Sequence, residues 1–187
     1  MADSQLVVIC EKNMKLNSIA WGDVDGDGQA DVWIGAPDAG QARRTTGLAY
    51  LVTGITSGQL SVSSAASTLT GESNSDQAGY SVDGDMDGDG DGIPDAVVGA
   101  PHYTSNRLVL GKAYFISGSP GSINLSAADA SWTGINDGDD AAKEVAFAGD
   151  VNADGYADLL VSAPAETSQG TGYVALILGP FSGAGTL

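Results

Sequence analysis

The sequence predicts an all-β protein built from repeated units, and three observations support this fold class. Short apolar runs alternate with clusters of glycine, serine and asparagine. One acidic pattern recurs three times, at intervals of 64 and then 63 residues. Each copy is followed by an apolar run that stops at a proline. Together they predict one repeat domain over residues 1–187, with units of approximately 11–71, 72–134 and 135–181.

Each unit is predicted to contribute the same strands in the same order. The first set of apolar runs comprises 31–36, 95–100 and 158–163, and the second comprises 47–53, 111–117 and 172–178. The helix-like stretches 62–67 and 125–130 are too short to stand alone as helices. A unit of about 63 residues with four short strands has the size of a propeller blade with long loops. The sequence therefore predicts β-propeller blades of four strands each.

Residues 5–10 are predicted to form the fourth strand of the last blade. They precede Leu69, in the fourth strand of the first unit, by about 63 residues, whereas the third unit ends at Phe181 without such a strand. Pairing of 5–10 beside 172–178, of the same chain or of a partner copy, would close the array by strand exchange, which removes open sheet edges. The alternative is that the chain is a piece of a longer array.

The charge of the chain indicates that its partners are cations. Seven lysine and arginine residues stand against 24 aspartate and glutamate residues, which gives a formal charge of −17. Such a chain repels a nucleic acid backbone and an anionic membrane surface, so neither is expected as a partner. Twelve of the 24 acids lie in the stretches 23–31, 85–95 and 150–158. Like charges at this density repel one another unless a positive ion lies among them.

Several residue types exclude other classes of protein. The single cysteine, Cys10, rules out an internal disulfide, and no apolar stretch is long enough for a membrane span. Residues 1–5 do not resemble a signal peptide, so an extracellular location would need a signal outside these residues. The single histidine, His102, has no second histidine to work with and no nucleophile motif is present, so no enzymatic activity is expected. The tryptophans are predicted to pack in blade cores, with interfaces as the alternative: Trp21, Trp33 and Trp132.

The acidic stretches share the pattern Asp-x-Asp-x-Asp-Gly-x-x-Asp, with oxygen ligands at positions 1, 3, 5 and 9. The predicted metal ligands are Asp23, Asp25, Asp27 and Asp31, then Asp87, Asp89, Asp91 and Asp95, then Asp150, Asn152, Asp154 and Asp158. Glycine at position 6 permits the sharp turn around an ion. Several carboxylates on a flexible loop suit Ca²⁺ better than Mg²⁺, and Zn²⁺ would require histidine or cysteine. The sequence therefore predicts three bound calcium ions per chain.

An EF-hand is excluded because position 12 holds no glutamate. The residues found there are Ile34, Val98 and Val161, each inside a strand-like run. In the middle loop Asp85 precedes Asp87, so two registers are open; the spacing from Val82 favours Asp87 as the first ligand. Asn152 supplies a neutral oxygen, so the third site is expected to bind calcium more weakly.

These loops and their flanks resemble the FG-GAP repeat of integrin α-subunit β-propellers. The resemblance is carried by the three loops followed by Ile34-Gly-Ala-Pro37, Val98-Gly-Ala-Pro101 and Val161-Ser-Ala-Pro164. It implies the same metal ligands and adds backbone carbonyl ligands at position 7, namely Gln29, Ile93 and Tyr156. The Phe-Gly half of the motif is replaced by Lys15-Leu16, Ala78-Gly79 and Ala141-Ala142. Integrin-type propellers have seven blades, whereas this chain encodes three.

The resemblance implies a calcium-stabilised scaffold for adhesion or protein recognition, located outside the cell or at its surface. Its partners would be calcium and a protein ligand or another copy of the chain. Two alternatives remain open: an accessory propeller fragment of a larger secreted or surface enzyme, and a self-assembling structural module. Because three blades are too few for an ordinary ring, a homodimer with six blades is expected.

Overall fold

The computed structural model describes residues 6–9, 14–40, 45–54, 58–165 and 171–187, and this part of the chain is all-β. Strands account for its regular structure apart from two single turns of 3₁₀ helix, Val62–Ser64 and Leu125–Ala127. Each turn is capped by a side chain that accepts a hydrogen bond from the backbone N–H two residues later: Ser61 from Ser63, and Asn124 from Ser126. The all-β prediction is confirmed.

The first repeat unit forms a four-stranded antiparallel sheet. Its strands and those beside it are β1 (Leu6–Ile9), β2 (Ser18–Gly22), β3 (Asp31–Ala36), β4 (Leu48–Val52), β5 (Gly58–Ser61) and β6 (Ser67–Thr70). Within the sheet the order is β2, β3, β4, β6. The predicted strand Asp31–Ala36 has the predicted bounds, because buried Asp31 and Pro37 stop it at either end.

The second unit repeats this sheet with one added hairpin. Its strands are β7 (Ser81–Met86), β8 (Asp95–Ala100), β9 (Thr104–Ser105), β10 (Leu108–Val109), β11 (Lys112–Ile116), β12 (Ser122–Asn124) and β13 (Ala130–Thr133). Strands β7, β8, β11 and β13 form the antiparallel sheet, while β9 and β10 pair with each other. The two units therefore have the predicted four strands each.

The third unit has three antiparallel strands. They are β14 (Val145–Gly149), β15 (Asp158–Ala163) and β16 (Tyr173–Ile177), and β17 (Gly183–Thr186) follows them. In the described part of the chain, β16 forms the edge of its sheet, whereas β4 and β11 are each covered by a fourth strand. Strand β17 does not complete this sheet, because it pairs in parallel with β13 of the second unit.

The three sheets pack face to face through two hydrophobic clusters. The first joins Trp33 and Leu51 of the first sheet to Val98 and Tyr114 of the second. The second joins the opposite face of the second sheet, including Phe115, to the third sheet. Trp33 is fully buried and Trp132 lies edge-on to Phe181, as predicted for core tryptophans. Trp21 is 59% exposed, so its predicted core position is wrong.

The two junctions between units repeat the same hydrogen bond, from a backbone N–H of one unit to a serine hydroxyl of the unit before it. The Ser18 hydroxyl accepts a hydrogen bond from the Val82 N–H at 3.0 Å, and the Ser81 hydroxyl accepts one from the Val145 N–H at 3.1 Å. Glycine is required beside these contacts, because a Cβ on Gly35 would overlap the carbonyl oxygen of the next unit's Gly79. A Cβ on Gly99 would likewise overlap the Ala142 carbonyl oxygen.

Within the chain, strand β1 does not pair with β16, which was one of the two pairings that the sequence analysis left open for residues 5–10. It pairs in parallel with β5, in register Val8 to Leu60. The same pairing occurs in the other two units, which explains the position of β1. Strand β12 pairs in parallel with β6, and β17 pairs in parallel with β13. In each case the strand after a unit's third strand lies on the fourth strand of the unit before. Strand β1 therefore occupies the position of a fourth strand from a unit preceding the first.

Neither 3₁₀ turn nor any other helix in the described residues has the length and apolar character needed to cross a lipid bilayer.

Candidate metal sites

Each acidic loop connects the first two strands of its sheet, so the three loops lie at matching positions along the array. The loops run from 23 to 31 between β2 and β3, from 87 to 95 between β7 and β8, and from 150 to 158 between β14 and β15. The ninth residue of each loop begins the second strand. A strand thus holds the last predicted ligand, while the others project from the loop.

The three loops have one hydrogen-bonding scheme. The position 9 carboxylate accepts from the N–H of position 2 at 2.9, 2.8 and 2.8 Å in the three loops. The position 1 carboxylate accepts from the N–H of position 6 at 2.9, 2.8 and 2.9 Å. The position 3 oxygen accepts from the N–H of position 5, and the position 5 carboxylate from that of position 7. Each loop is therefore wrapped around its own acidic side chains.

Glycine at position 6 has the role predicted for it. Gly28, Gly92 and Gly155 have φ angles of +85°, +86° and +97°, which side chains disfavour. Position 4 is also left-handed, which the sequence analysis missed. It holds Gly26 and Gly90 in the first two loops but Ala153 in the third, at φ +62°. The third loop therefore carries more backbone strain than the others.

The carboxylates at position 9 are fully buried. Asp31, Asp95 and Asp158 have no exposed surface, whereas the acids at positions 3 and 5 of the first loop are exposed. The second oxygen of Asp95 accepts from the Gly118 N–H at 3.0 Å, and that of Asp158 accepts from the Gly179 N–H at 2.9 Å. These bonds tie the loop to the segment that follows the third strand of the same sheet.

Burial and neighbouring negative charges raise the pKa of two of these carboxylates, Asp31 and Asp95. The pKa of Asp95 is raised to about 6, chiefly by burial and also by the charges of Asp89 and Asp87, against the lowering effect of the Gly88 and Gly118 N–H groups. Burial also raises the pKa of Asp31, helped by the charge of Asp25. A cation among these carboxylates would favour their charged forms.

Two loops bring carboxylates within reach of one ion. Oxygens of Asp23, Asp25 and Asp27 all lie within 4.8 Å of one another, as do oxygens of Asp87, Asp89 and Asp95. Among the residues described, the third loop offers no such group of three acids, because position 3 is Asn152. Its side-chain NH₂ instead donates to the Asp154 carboxylate at 2.8 Å. The weaker third site predicted from Asn152 remains a prediction.

The loops fit a calcium ion. Asp23 Oδ1 is buried and has no hydrogen-bond partner in the described residues, although a buried carboxylate oxygen ordinarily has one. A coordinated cation would satisfy it. The donors are carboxylate and amide oxygens on a turn, the set that calcium prefers, with no histidine or thiolate.

The hydrogen bonds of the middle loop match the predicted register in which Asp87 is the first ligand position. Asp87 accepts from the Gly92 N–H as Asp23 accepts from Gly28, so it takes the first position of the hydrogen-bonding scheme. Asp85 belongs to β7, ahead of the loop. In this scheme Asp85 is an additional acid beside the candidate site.

The sequence analysis missed a partly buried charged cluster at the first junction. Lys112 Nζ lies 2.6 Å from Glu72 Oε1, and the Tyr114 hydroxyl donates to the same oxygen at 3.0 Å. The Lys112 ammonium also lies 4.7 Å from the ring centre of Tyr103. Nearby Asp76 is fully buried, and its pKa is raised to about 6, chiefly by burial. No sequence motif marks these residues, because they come from separate strands and loops.

The raised pKa of Asp76 predicts a pH-dependent cost in stability. Its folded pKa of about 6 exceeds the ordinary value of 3.8, so the folded state holds the proton more tightly and stability falls as pH rises from about 4 to 6. Asp76→Asn stays neutral and can still accept from the Ser73 N–H. We expect it to raise the unfolding free energy at pH 7.5 by about 1 to 3 kcal/mol, with little change at pH 4.

Urea unfolding of Asp76→Asn and of the parent chain at both pH values measures this difference. Asp38→Asn is the control, because the Asp38 side chain is 44% exposed and, within the part of the chain that the structure describes, its ion pair is with exposed Lys15. An equal effect of Asp76→Asn at both pH values would contradict the prediction.

Comparison with known proteins agrees with the resemblance seen in the loops. A model of the FG-GAP repeat family matches residues 16–52 and 144–177, which contain the first and third acidic loops. The chain is 32% identical over 174 residues to integrin alpha-PS2 of Drosophila melanogaster. That alignment covers 87% of this chain but 11% of the integrin subunit. The second loop, outside the matched residues, has the same hydrogen-bonding scheme as the other two.

Proposed function

From the premise that this chain carries FG-GAP repeats and is a relative of an integrin α subunit, we propose that it is a calcium-binding β-propeller module that recognises another protein outside the cell or at its surface. Its role is structural and adhesive rather than enzymatic. The aligned region is a small part of the integrin subunit, so the recognised protein is not implied by that relationship.

The observation that carries the proposal is the hydrogen-bonding scheme common to the three loops. Four of its bonds recur in every loop, at distances that agree within 0.2 Å between copies. Side chains that only solubilise a surface have no reason to adopt one geometry three times. Binding of the same kind of ligand in each loop explains why the exposed aspartates point toward the inside of the loop.

Calcium would act here by neutralising and tightening each loop. Asp23, Asp87 and Asp150 hold the turn through their position 6 N–H groups, and the buried position 9 carboxylates fix the loop to the sheet. Three divalent ions would change the formal charge of the chain from −17 to −11. Position 7 carbonyls of Gln29, Ile93 and Tyr156 would complete the ligand sets.

A catalytic role has little chemical support among the described residues. The His102 side chain is 45% exposed and lies 4.0 Å from the Asp140 carboxylate, at the limit of an ion pair. Among the described residues no hydroxyl or thiol is hydrogen-bonded to its imidazole, and the Thr104 hydroxyl donates to the His102 backbone carbonyl instead. If a longer protein also contained an enzyme domain, the catalytic activity would belong to that domain. The propeller itself is proposed as a recognition scaffold.

Isothermal titration of calcium into the chelator-treated chain is expected to give three sites, the third weaker than the first two. The reason is the charge count, since the third loop has one carboxylate fewer. Replacing Asp25 and Asp27 together by alanine is expected to remove the first site alone, because the three loops belong to separate sheets.

Asp38→Ala is the matched control for that double variant, since Asp38 is an exposed acid outside the loops. It is expected to leave three sites. Fewer than two sites in the parent chain, or tighter binding of magnesium than of calcium, would contradict the proposal.

A further inference from the structure

We propose that the second and third calcium sites are coupled through the peptide group between Tyr156 and Ala157, so that occupation of one loop raises the affinity of the other. The first site is expected to bind calcium independently of both. The inference rests on the proposed calcium-binding function and adds to it a physical connection between two of the sites. It stands on contacts between the second and third loops that the first and second loops lack.

A hydrogen bond joins the backbones of the second and third loops. The Ala157 N–H, at position 8 of the third loop, donates to the Asp87 carbonyl oxygen, at position 1 of the second loop, at 3.0 Å. The carbonyl of the same peptide group belongs to Tyr156, the expected position 7 ligand of the third site. One planar peptide group therefore presents a ligand oxygen to the third site and a donor to the second loop.

The carbonyl that accepts this bond is connected directly to the ligands of the second site. The Asp87 carboxylate accepts from the Gly92 N–H at 2.8 Å. The peptide group that contains the Asp87 carbonyl also contains the Gly88 N–H, which donates to the buried Asp95 carboxylate at 2.8 Å. Because that peptide group is planar, fixing the carboxylates at positions 1 and 9 also fixes the acceptor of the Ala157 N–H.

The Tyr156 side chain makes a second contact between the same two loops. Its ring lies against Gly90, at position 4 of the second loop. A Cβ on Gly90 would stand 2.5 Å from a ring carbon, so a side chain there would displace the ring. The residue that offers its carbonyl to the third site therefore also packs on the turn of the second.

A third contact runs through the segment that follows β16. The Gly179 N–H donates to the position 9 carboxylate of the third loop, Asp158, at 2.9 Å. Two residues later Phe181, which is 6% exposed, packs against Gly88 of the second loop. A Cβ on Gly88 would stand 2.7 Å from the Phe181 ring. One short segment thus contacts a predicted ligand of the third loop and the backbone of the second.

The first and second loops are not joined in this way. Position 8 of the second loop is Pro94, which has no N–H to donate to the first loop. Ile93, at position 7, is 40% exposed, and a Cβ on Gly26 of the first loop would have no neighbour within 4 Å. In the described residues no hydrogen bond joins 23–31 to 87–95. The two junctions therefore provide a comparison within one chain.

Ordering of the shared backbone gives the coupling a positive sign. Binding in one loop restricts that loop and, through the shared peptide group, part of the other loop, so the second binding event costs less conformational entropy. Repulsion between two divalent ions acts in the opposite direction. Each ion would lie among carboxylates, and at 0.15 M salt charges more than about 8 Å apart are largely screened. We expect each site to bind about tenfold more tightly when the other is occupied, and linkage requires the two factors to be equal.

Nuclear magnetic resonance of the ¹⁵N-labelled chain in chelator-buffered calcium, at 0.15 M salt, tests the coupling site by site. The N–H groups of Gly28, Gly92 and Gly155 donate to the position 1 carboxylates of their own loops. Each of these three signals therefore reports one site. The quantity compared is the free calcium concentration at which the Gly155 signal is half shifted, called the third-site midpoint below.

Two variants that each remove one site provide the main comparison. Asp89→Ala combined with Asp91→Ala removes the second site and is expected to raise the third-site midpoint about tenfold. Asp25→Ala combined with Asp27→Ala removes the first site and is the control. It is expected to change the third-site midpoint by less than about twofold, because no described hydrogen bond leads from the first loop to the second.

Ala157→Pro breaks the connection without changing a ligand side chain. It removes the N–H that donates to Asp87, and proline already occupies the same loop position at Pro94. The third-site midpoint is expected to rise about tenfold and no longer to depend on the second site. Ala30→Pro, at position 8 of the first loop, is the matched control, because the Ala30 N–H has no hydrogen-bond partner in the described residues. It is expected to leave the second and third sites unchanged.

The possible outcomes separate this inference from the proposed function. If none of the three glycine signals responds to calcium, both are overturned. If all three respond but the third-site midpoint is the same with and without the second site, the coupling alone is overturned. A lower third-site midpoint after removal of the second site, as repulsion between ions would produce, contradicts it as well. The variants that remove one site decide the question even if Ala157→Pro does not fold.

Discussion

Removal of calcium is expected to lower the melting temperature of this protein by about 5 to 10 °C per site. This value applies when the free calcium concentration had been about a hundred times the dissociation constant of that site. Binding to the folded state alone contributes about 2.7 kcal/mol at that excess. For a chain of this length, 1 kcal/mol corresponds to roughly 2 to 4 °C. The unfolded chain loses the loop geometry, so it competes weakly for the ion.

The physical cause is the repulsion left behind in the empty loops. Asp87 and Asp89 lie close to buried Asp95, and their charges help to raise its pKa to about 6. Without an ion, the folded state must carry these like charges at neutral pH. Calcium removes that cost as well as adding its own binding energy.

Differential scanning calorimetry with and without chelator measures the shift. Magnesium at the same concentration is the control ion and is expected to restore only part of the stability, because it retains its waters and prefers fewer protein ligands. A melting temperature that does not change on chelation would show that the ions do not support the fold.

Asp95→Ala is expected to lower the unfolding free energy in calcium by about 3 to 6 kcal/mol. The substitution removes the acceptor of two buried N–H groups, on Gly88 and Gly118, at 2.8 and 3.0 Å. Leaving a buried donor without a partner costs about 1 to 3 kcal/mol. Loss of the second calcium site adds its linkage energy.

Asp85→Ala is the matched control for Asp95→Ala, since it removes an acid ten residues earlier, in β7, outside the loop's hydrogen-bonding scheme. It is expected to change stability by no more than about 0.5 kcal/mol and to leave three sites. Urea unfolding and calcium titration of both variants give the comparison. Retention of the second site in Asp95→Ala, or its loss in Asp85→Ala, would show that the register of the middle loop is wrong.

The acidic loops and the strands around them could be predicted because their determinants are close in sequence. All four predicted side-chain ligands of a loop fall within nine residues, and Gly28 and Gly92 permit the turn wherever the chain lies. The bounds of β3, β8 and β15 followed from the loop on one side and proline on the other. The asparagine at position 3 of the third loop, Asn152, could be identified from the sequence for the same reason.

The placement of β1, Trp21 and Asp76 could not be predicted in this way. Residues 5–10 match a fourth strand by spacing, but spacing does not say whether that strand pairs with β16 or β5. Trp21 is a large apolar residue of the kind expected in a core, but it is exposed on the outer face of the first sheet. Asp76 looks like one more surface acid until Glu72, Lys112 and Tyr114 from other elements surround it.

The repeat, the succession of strands in each unit and the acidic loops could be predicted from the sequence, because the patterns that indicate them lie between residues a few positions apart. The tertiary structure alone decided which faces are buried and which edges stay open. Those properties depend on packing between units about 63 residues apart, where Ser18 meets Val82 and Ser81 meets Val145. Burial is a sum over such distant neighbours, and the pattern within one unit does not contain it.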